Sequence, residues 1–344
     1  MGAGQTSGHS VRSQQEQQLI GESSGFLEIL DRVSRVAPLN RPVLVIGERG
    51  TGKELIAARI HYLSGRWDQP FVKMNCAALA ESLLETELFG HEAGSFTGAN
   101  RRRLGRFEMA HKGSLFLDEL ANTSSRVQEK VLRVIEYGEL ERVGGSETIR
   151  TDVRIIGATH EDLPALAETG QFRADLLDRL AFDVITLPPL RDRPEDILPL
   201  AEHFAVKMAG ELGMDLFPGF GDAARTALRE HRWPGNIREL KNVVERAVYT
   251  FDGNGGPVDR IVFDPFDSPW RPNSAPQAAP GATATPKGAY DFKDHMRDYE
   301  VARLQAALED CRFNQKKTAE HLGMTYHQLR GYLRKYELTD GDSD

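Results

Sequence analysis

Two short stretches hold residue types that could handle a phosphate ester. Gly47-Glu48-Arg49-Gly50-Thr51-Gly52-Lys53-Glu54 is a glycine-rich run closed by a lysine. Glycines let successive backbone N–H groups curl round phosphate oxygens, and Lys53 would reach the β- and γ-phosphates of a nucleotide such as ATP. The general pattern has Ser or Thr after the lysine, to hold a magnesium ion, and Glu54 departs from it. A glycine-rich turn in front of a purely structural helix therefore stays open as an alternative. About 65 residues after Lys53 comes Leu115-Phe116-Leu117-Asp118-Glu119, an apolar run ending in two acids. Beside a phosphate loop it reads as a Walker B pair, in which Asp118 holds magnesium and Glu119 polarises the attacking water.

These residues need a scaffold that brings strand ends together. Pro42–Ile46 reads as a buried strand running into the glycine loop, and the apolar residues from Leu55 to Ile60 read as the helix that follows. Residues 70–76 form a second strand candidate ending near Asn75, followed by a helix over 82–89. Residues 112–120 supply the third strand, and 153–160 the fourth, ending in Thr159-His160. Four strands alternating with helices predict an α/β fold with a parallel sheet. Ligands of such sheets gather at the strand C-termini, where Lys53, Asn75, Asp118, Glu119 and Thr159 all fall. The amphipathic stretches 24–36 and 127–138 are further helices. Arg173 and Arg179 lie six residues apart in a helical stretch. They are either surface ion-pair partners or, in a ring-shaped ATPase, fingers that reach a neighbour's γ-phosphate.

Gly94-Ser95-Phe96-Thr97-Gly98-Ala99 lies between the two phosphate-handling stretches. Glycines at both ends give it mobile, turn-capable backbone, yet an aromatic ring and a hydroxyl stand at its centre. It is either a surface turn with a stray Phe or a loop that presents Phe96 and Thr97 to another macromolecule. Arg101, Arg102 and Arg103 beyond it read as a solvated face.

Residues 195–250 read as a small helical, lid-like bundle, with Asn236 as the cap of a helix that carries Arg238 in its first turn. A cation there opposes the helix dipole, which favours a phosphate-contacting role. Six prolines among Ala, Ser and Thr mark 265–289 as a linker. Beyond it, helices over 292–308, 315–322 and 325–336, with a turn at Gly323-Met324, predict a helix-turn-helix. Lys316, Lys317, Arg330, Arg334 and Lys335 give it a basic face, and Thr325 caps its last helix. Tyr326, His327, Gln328 and Arg330 suit base-edge and phosphate contacts. A three-helix protein-binding module is the alternative.

The net charge of −8 argues against non-specific nucleic-acid binding by the chain as a whole. The 344 residues suggest two or three domains, and no run is long enough for a membrane span. Two distant cysteines and a Gln/Ser/Gly-rich stretch over 1–20, read as a disordered leader without room for a sensor, fit a cytoplasmic protein.

On these motifs the chain resembles the bacterial enhancer-binding proteins, AAA+ activators of sigma-54 RNA polymerase. The resemblance covers about 22–250 and 290–338. Gly47–Glu54 matches that family's Walker A, which itself carries Glu, and Gly94–Ala99 matches its sigma-54-contacting loop. The resemblance implies that Asn75 couples Glu119 to the nucleotide state. It also places Arg173 and Arg179 at the arginine-finger positions and Arg238 at the second sensor. The implied fold is an AAA+ P-loop NTPase over 21–187, with a helical lid over 188–264, the linker over 265–289 and a Fis-type helix-turn-helix over 290–344. The implied activity is ATP hydrolysis with Mg2+, in a homo-oligomeric ring, a hexamer. Its work is to remodel sigma-54 RNA polymerase holoenzyme from an enhancer DNA site. The likeness is greatest to the phage-shock branch, which answers envelope stress and is restrained in trans by a negative regulator of the phage-shock protein A type. Two residues depart from the family pattern: Ser95 stands for Ala, and His160 for Asn. Two other functions remain: a DNA-binding regulator that uses ATP only to assemble, and an AAA+ remodeller of another protein client.

Overall fold

The computed structural model describes residues 19–96, 99–251, 256–267, 271, 292–311 and 314–336. Most of the expected leader and linker, with Thr97 and Gly98 of the central loop, lies outside the described residues. Leu19 and Ile20, the last two residues of that leader, are half-buried against the hydrophobic cores. The chain divides into one unit up to Pro265 and a second from Phe266.

In the first unit, α1 (Ser24–Val36) leads into β1 (Val43–Ile46), the glycine loop and α2 (Lys53–Tyr62). Then come β2 (Phe71–Asn75), α3 (Glu81–Phe89), a short hairpin of β3 (Gly90–His91) and β4 (Arg103–Leu104), and α4 (Arg106–Met109). After β5 (Ser114–Asp118) follow α5 (Ser125–Tyr137), a second hairpin of β6 (Glu139–Glu141) and β7 (Thr148–Arg150), and β8 (Arg154–Thr159). Helices α6 (Leu163–Glu168) and α7 (Ala174–Leu180) precede β9 (Val184–Thr186).

The main sheet is parallel with strand order β2-β5-β8-β1-β9. It has five strands where the sequence predicted four. The fifth, Val184-Ile185-Thr186, is too short for any periodicity to announce, and it exists because β1 offers it an open edge. Side chains alternate across the sheet. Leu44, Leu115, Leu117 and Ile155 pack with α3, α5 and α7 on one face. Val43, Val45, Phe116, Ile156 and Ala158 pack with α1 and α2 on the other. Helices on both faces bury the central strands, which explains their unbroken apolar runs.

Helices α8 (Ile197–Glu211), α9 (Asp222–Glu230) and α10 (Asn236–Tyr249) form the lid. Its core is built on Leu200, Ala201, Leu228, Leu240, Val244 and the fully buried Trp233, whose Nε1 donates to Leu228 O at 2.9 Å.

The second unit comprises α11 (Phe292–Asp310), α12 (Gln315–His321) and α13 (Tyr326–Lys335) around Leu304, Leu308, Ala319, Leu329 and Leu333. Thr325 caps α13, accepting from Gln328 N at 3.3 Å, while Gln328 Oε1 accepts from Thr325 N at 2.9 Å. This reciprocal pair is a capping box.

Candidate functional site

The glycine loop closes over the N-terminus of α2 because two of its residues have left-handed backbone. Gly50 has φ +79° and Gly52 φ +100°. A Cβ on Gly50 would also lie 2.4 Å from Gly235 O, so only glycine fits where the lid comes down on the loop. Among the described residues, no protein acceptor takes the backbone N–H groups from Arg49 to Glu54. Open amides at a helix N-terminus form a cradle for an anion such as a nucleotide phosphate. Lys53 Nζ donates to Gly47 O at 2.8 Å and Glu48 O at 3.2 Å, inside that cradle. Burial pulls its pKa below the usual lysine value, opposed by the negative charges of Glu119 and Asp118.

Those acids end β5. Asn75 and Asp118 are register partners on β2 and β5, and Asn75 Nδ2 donates to Asp118 Oδ2 at 3.3 Å. Burial raises the Asp118 pKa, and the neighbouring Glu119 charge raises it further. A half-buried acidic pair within reach of Lys53's charge is a donor set that suits a hard divalent cation between carboxylate and phosphate oxygens. Glu119 turns out of the strand with φ 53°. Its Oε2 meets His160 Nδ1 at 2.6 Å. Asn75 therefore bonds Asp118, and the described partner of Glu119 is His160. Thr159 is fully buried at the end of β8, with its Oγ1 accepting from Glu161 N at 3.0 Å. Glu54 points away, pairing with Lys73 at 2.9 Å.

The lid contributes a set of contacts that the sequence reading missed. Asn236 does not cap α10, because Gly235 holds that place. Asn236 is fully buried with φ 53° and spans from lid to loop. Its Oδ1 accepts from Leu190 N at 2.7 Å, and its Nδ2 donates to Glu48 Oε2 at 3.1 Å and Arg49 O at 3.0 Å. Arg191 grips the same Glu48 through two bonds of 2.6 and 2.9 Å. The Arg191 bonds, then Asn236, hold the Glu48 carboxyl down to about 2. Asn236 is small, polar and tolerant of left-handed backbone, the same properties that make it a common cap. Only tertiary contacts reveal its use. Arg238 lies beside Gly50, and its charge helps depress Lys53.

Arg173 precedes α7 and pairs with Asp175 at 2.7 Å, and Arg179 on α7 pairs with Glu136 at 2.8 Å. Both have ion-pair partners within the chain.

The central loop is stitched to the second hairpin. Gly94 N donates to Ala99 O at 2.8 Å, and Glu92 N to Val143 O at 3.1 Å. Ser95 packs so closely on Gly144 that a Cβ there would lie 2.4 Å from its own. Phe96 is 44% exposed, its ring edge-on to His91 at 5.0 Å. Arg142 is buried under the loop base and bonds Glu92 at 2.8 Å and Glu108 at 2.9 Å. Lys316, Lys317, Thr325, Tyr326, His327, Gln328, Arg330 and Arg334 are all exposed on the second unit.

Three known domains match the chain in order: the Sigma-54 interaction domain over 19–186, an AAA+ ATPase lid domain over 191–260 and the Bacterial regulatory protein, Fis family, over 295–336. The Psp operon transcriptional activator of Escherichia coli K12 is 56% identical over 320 residues, 93% of this chain and 98% of that protein. The chain belongs to the sigma-54-dependent transcriptional activators. Another such relative, the Nif-specific regulatory protein of Azotobacter vinelandii, is 45% identical over 91% of the chain, which spans 58% of that longer protein. Among solved structures, NtrX from Brucella abortus in complex with ATP has a TM-score of 0.67 at 33% identity. That likeness covers 95% of this chain and 71% of NtrX. As a sigma-54 activator the chain is an AAA+ ATPase with a Fis-type DNA-binding unit. No helix among the described residues is long and apolar enough to cross a membrane.

Proposed function

We propose that this activator couples ATP hydrolysis to movement of the Gly94–Ala99 loop, and that the loop remodels sigma-54 RNA polymerase holoenzyme so that promoter DNA melts. The observation that carries the reading is the acid pair Asp118–Glu119 at the C-terminal end of β5, beside a phosphate loop whose amides are open. In this reading the residues of the loop (Gly47, Glu48, Arg49, Gly50, Thr51, Gly52, Lys53 and, through its backbone amide alone, Glu54) and Arg238 hold the nucleotide. Asp118 ligates Mg2+, which would neutralise charge on the transferred phosphoryl group. Glu119 aligns the attacking water, Asn75 and Thr159 report the nucleotide state, and Arg173 and Arg179 serve a neighbouring subunit in a hexameric ring. Gly94, Ser95, Phe96, Thr97, Gly98 and Ala99 engage sigma-54.

The α/β part over 21–187 and the lid over 188–264 form the motor. The linker over 265–289 tethers the unit over 290–344, which raises the local concentration of the ring at a promoter. There Lys316, Lys317, Arg330 and Arg334 contact enhancer DNA phosphates, while Thr325, Tyr326, His327 and Gln328 reach base edges. The 56% identity to the Psp operon activator supports a phage-shock or envelope-stress operon as target, a cytoplasmic location and a restraining partner of the phage-shock protein A type.

The test is Glu119→Gln. It should keep ATP binding, lose at least about 100-fold in hydrolysis and fail to open sigma-54 promoter complexes. Open-complex formation by a variant that cannot hydrolyse ATP would refute the coupling.

A further inference from the structure

The residue that departs from the family pattern beside Thr159 holds the residue proposed to activate water. His160 sits just past β8 and Glu119 just past β5, and these strands are parallel neighbours with Leu117 opposite Gly157. The two strands therefore end on the same side of the sheet, which brings residues 41 positions apart into contact. Glu119 Oε2 lies 2.6 Å from His160 Nδ1. An ionised carboxylate only accepts, so the proton of this bond sits on Nδ1. The ring's other nitrogen, Nε2, lies 3.2 Å from Glu161 Oε1. Glu161 is itself pinned, its N–H donating to Thr159 Oγ1 at 3.0 Å. The ring's one hydrogen bond among the described residues is the one that holds Glu119. The carboxamide of Asn75 is engaged with Asp118 instead.

We infer that His160 is a positioning residue for Glu119. The inference rests on the reading of Glu119 given above. Oε2 is occupied by the imidazole, so Oε1 is the oxygen left for a water molecule. The left-handed backbone at Glu119 already limits where its side chain can go. The hydrogen bond removes most of the remaining rotation, holding the base at a set angle to the γ-phosphate. Misplacing such a group by an ångström costs on the order of 100-fold in rate. Substrate binding does not pass through this contact, so the loss belongs to kcat.

The experiment measures steady-state ATP hydrolysis by the full-length protein at fixed subunit concentration, in the parent, His160→Ala, His160→Asn, Glu119→Gln and the double variant His160→Ala/Glu119→Gln. His160→Ala is expected to lose about 10- to 100-fold in kcat, with KM for ATP within about twofold of the parent value. Asparagine places an N–H donor near the position of Nδ1, so His160→Asn should recover most of the rate. A purely structural role would not restore kcat through one donor. In the Glu119→Gln background, His160→Ala should cost little more, because both residues act through one carboxylate. A His160→Ala protein that turns over like the parent or faster overturns the inference, as does an equal further loss in the double variant. A His160→Asn protein as slow as His160→Ala, with the same thermal midpoint as the parent, overturns it too. Normal hydrolysis by Glu119→Gln would instead remove the assignment of Glu119, and the inference would fall with it.

Discussion

Asn236 joins the lid to the phosphate loop, and replacing it with alanine gives a calculable result. The substitution removes the acceptor for the Leu190 N–H, a buried donor held at 2.7 Å, and the donor to Arg49 O. Leaving a buried amide unsatisfied costs about 1–3 kcal/mol. The backbone at this position has φ 53°, which asparagine tolerates and alanine does not. That adds about 1 kcal/mol. The sum is about 2–4 kcal/mol. With a urea dependence of about 2–3 kcal/mol per molar, the unfolding midpoint should fall by about 1 M. The assay is urea denaturation followed by tryptophan fluorescence, since Trp233 is fully buried three residues away. The loop should also bind nucleotide more weakly, because Arg49 and Glu48 lose a fixed partner. A midpoint within about 0.2 M of the parent, at equal slope, would refute the reasoning.

Three other outcomes can be checked directly. The Glu48 carboxyl is held at about 2 against an ordinary 4.5, so its pairing with Arg191 and Asn236 stabilises the fold above pH 4.5 and is lost as pH falls through about 2. The stability gap between the parent and Arg191→Ala should therefore shrink from pH 6 toward pH 2, and parallel curves would count against it. Gly113→Ala would put a Cβ 1.9 Å from Pro70 O, at the start of the β2–β5 pairing. It should lose about 3 kcal/mol or more, seen as a large fall in thermal midpoint. Thr325→Ala removes the α13 cap, worth about 1 kcal/mol, so hydrogen exchange at the Gln328 amide should quicken about fivefold.

Much of the α/β scaffold was legible because its central strands are apolar runs of four to six residues bounded by glycine, proline or polar ends. Strands β1, β5 and β8 have that signature, while β2, with Lys73 at its middle, lies at the edge of the sheet. The glycine loop and the Asp118–Glu119 pair were legible for the same reason, since each must follow a strand directly. What stayed hidden depends on partners far away in sequence. Strand β9 is three residues long and defined only by pairing with β1. Asn236 carries a cap-forming side chain in front of a helix, and nothing local shows that its bonds run 46 and 188 residues away. The contact between His160 and Glu119 needs the β5–β8 pairing before it can be seen. The departure of His160 from the family pattern was visible beforehand, but what it touches was not.

The order of strands has a consequence for how the chain is made. The glycine loop hangs from β1, and β1 lies between β8 and β9. Its partners begin at Arg154 and Val184, more than a hundred residues downstream. During synthesis the first strand to leave the ribosome is thus among the last to be paired. Such long-range closure is slow, and until it happens Val43–Ile46 is an unpaired apolar edge. The site for the nucleotide is therefore completed only when nearly the whole α/β part exists. A chain cut short before residue 184 lacks a neighbour for β1 on that side, so a nascent or truncated copy would carry the glycine loop on a half-paired strand.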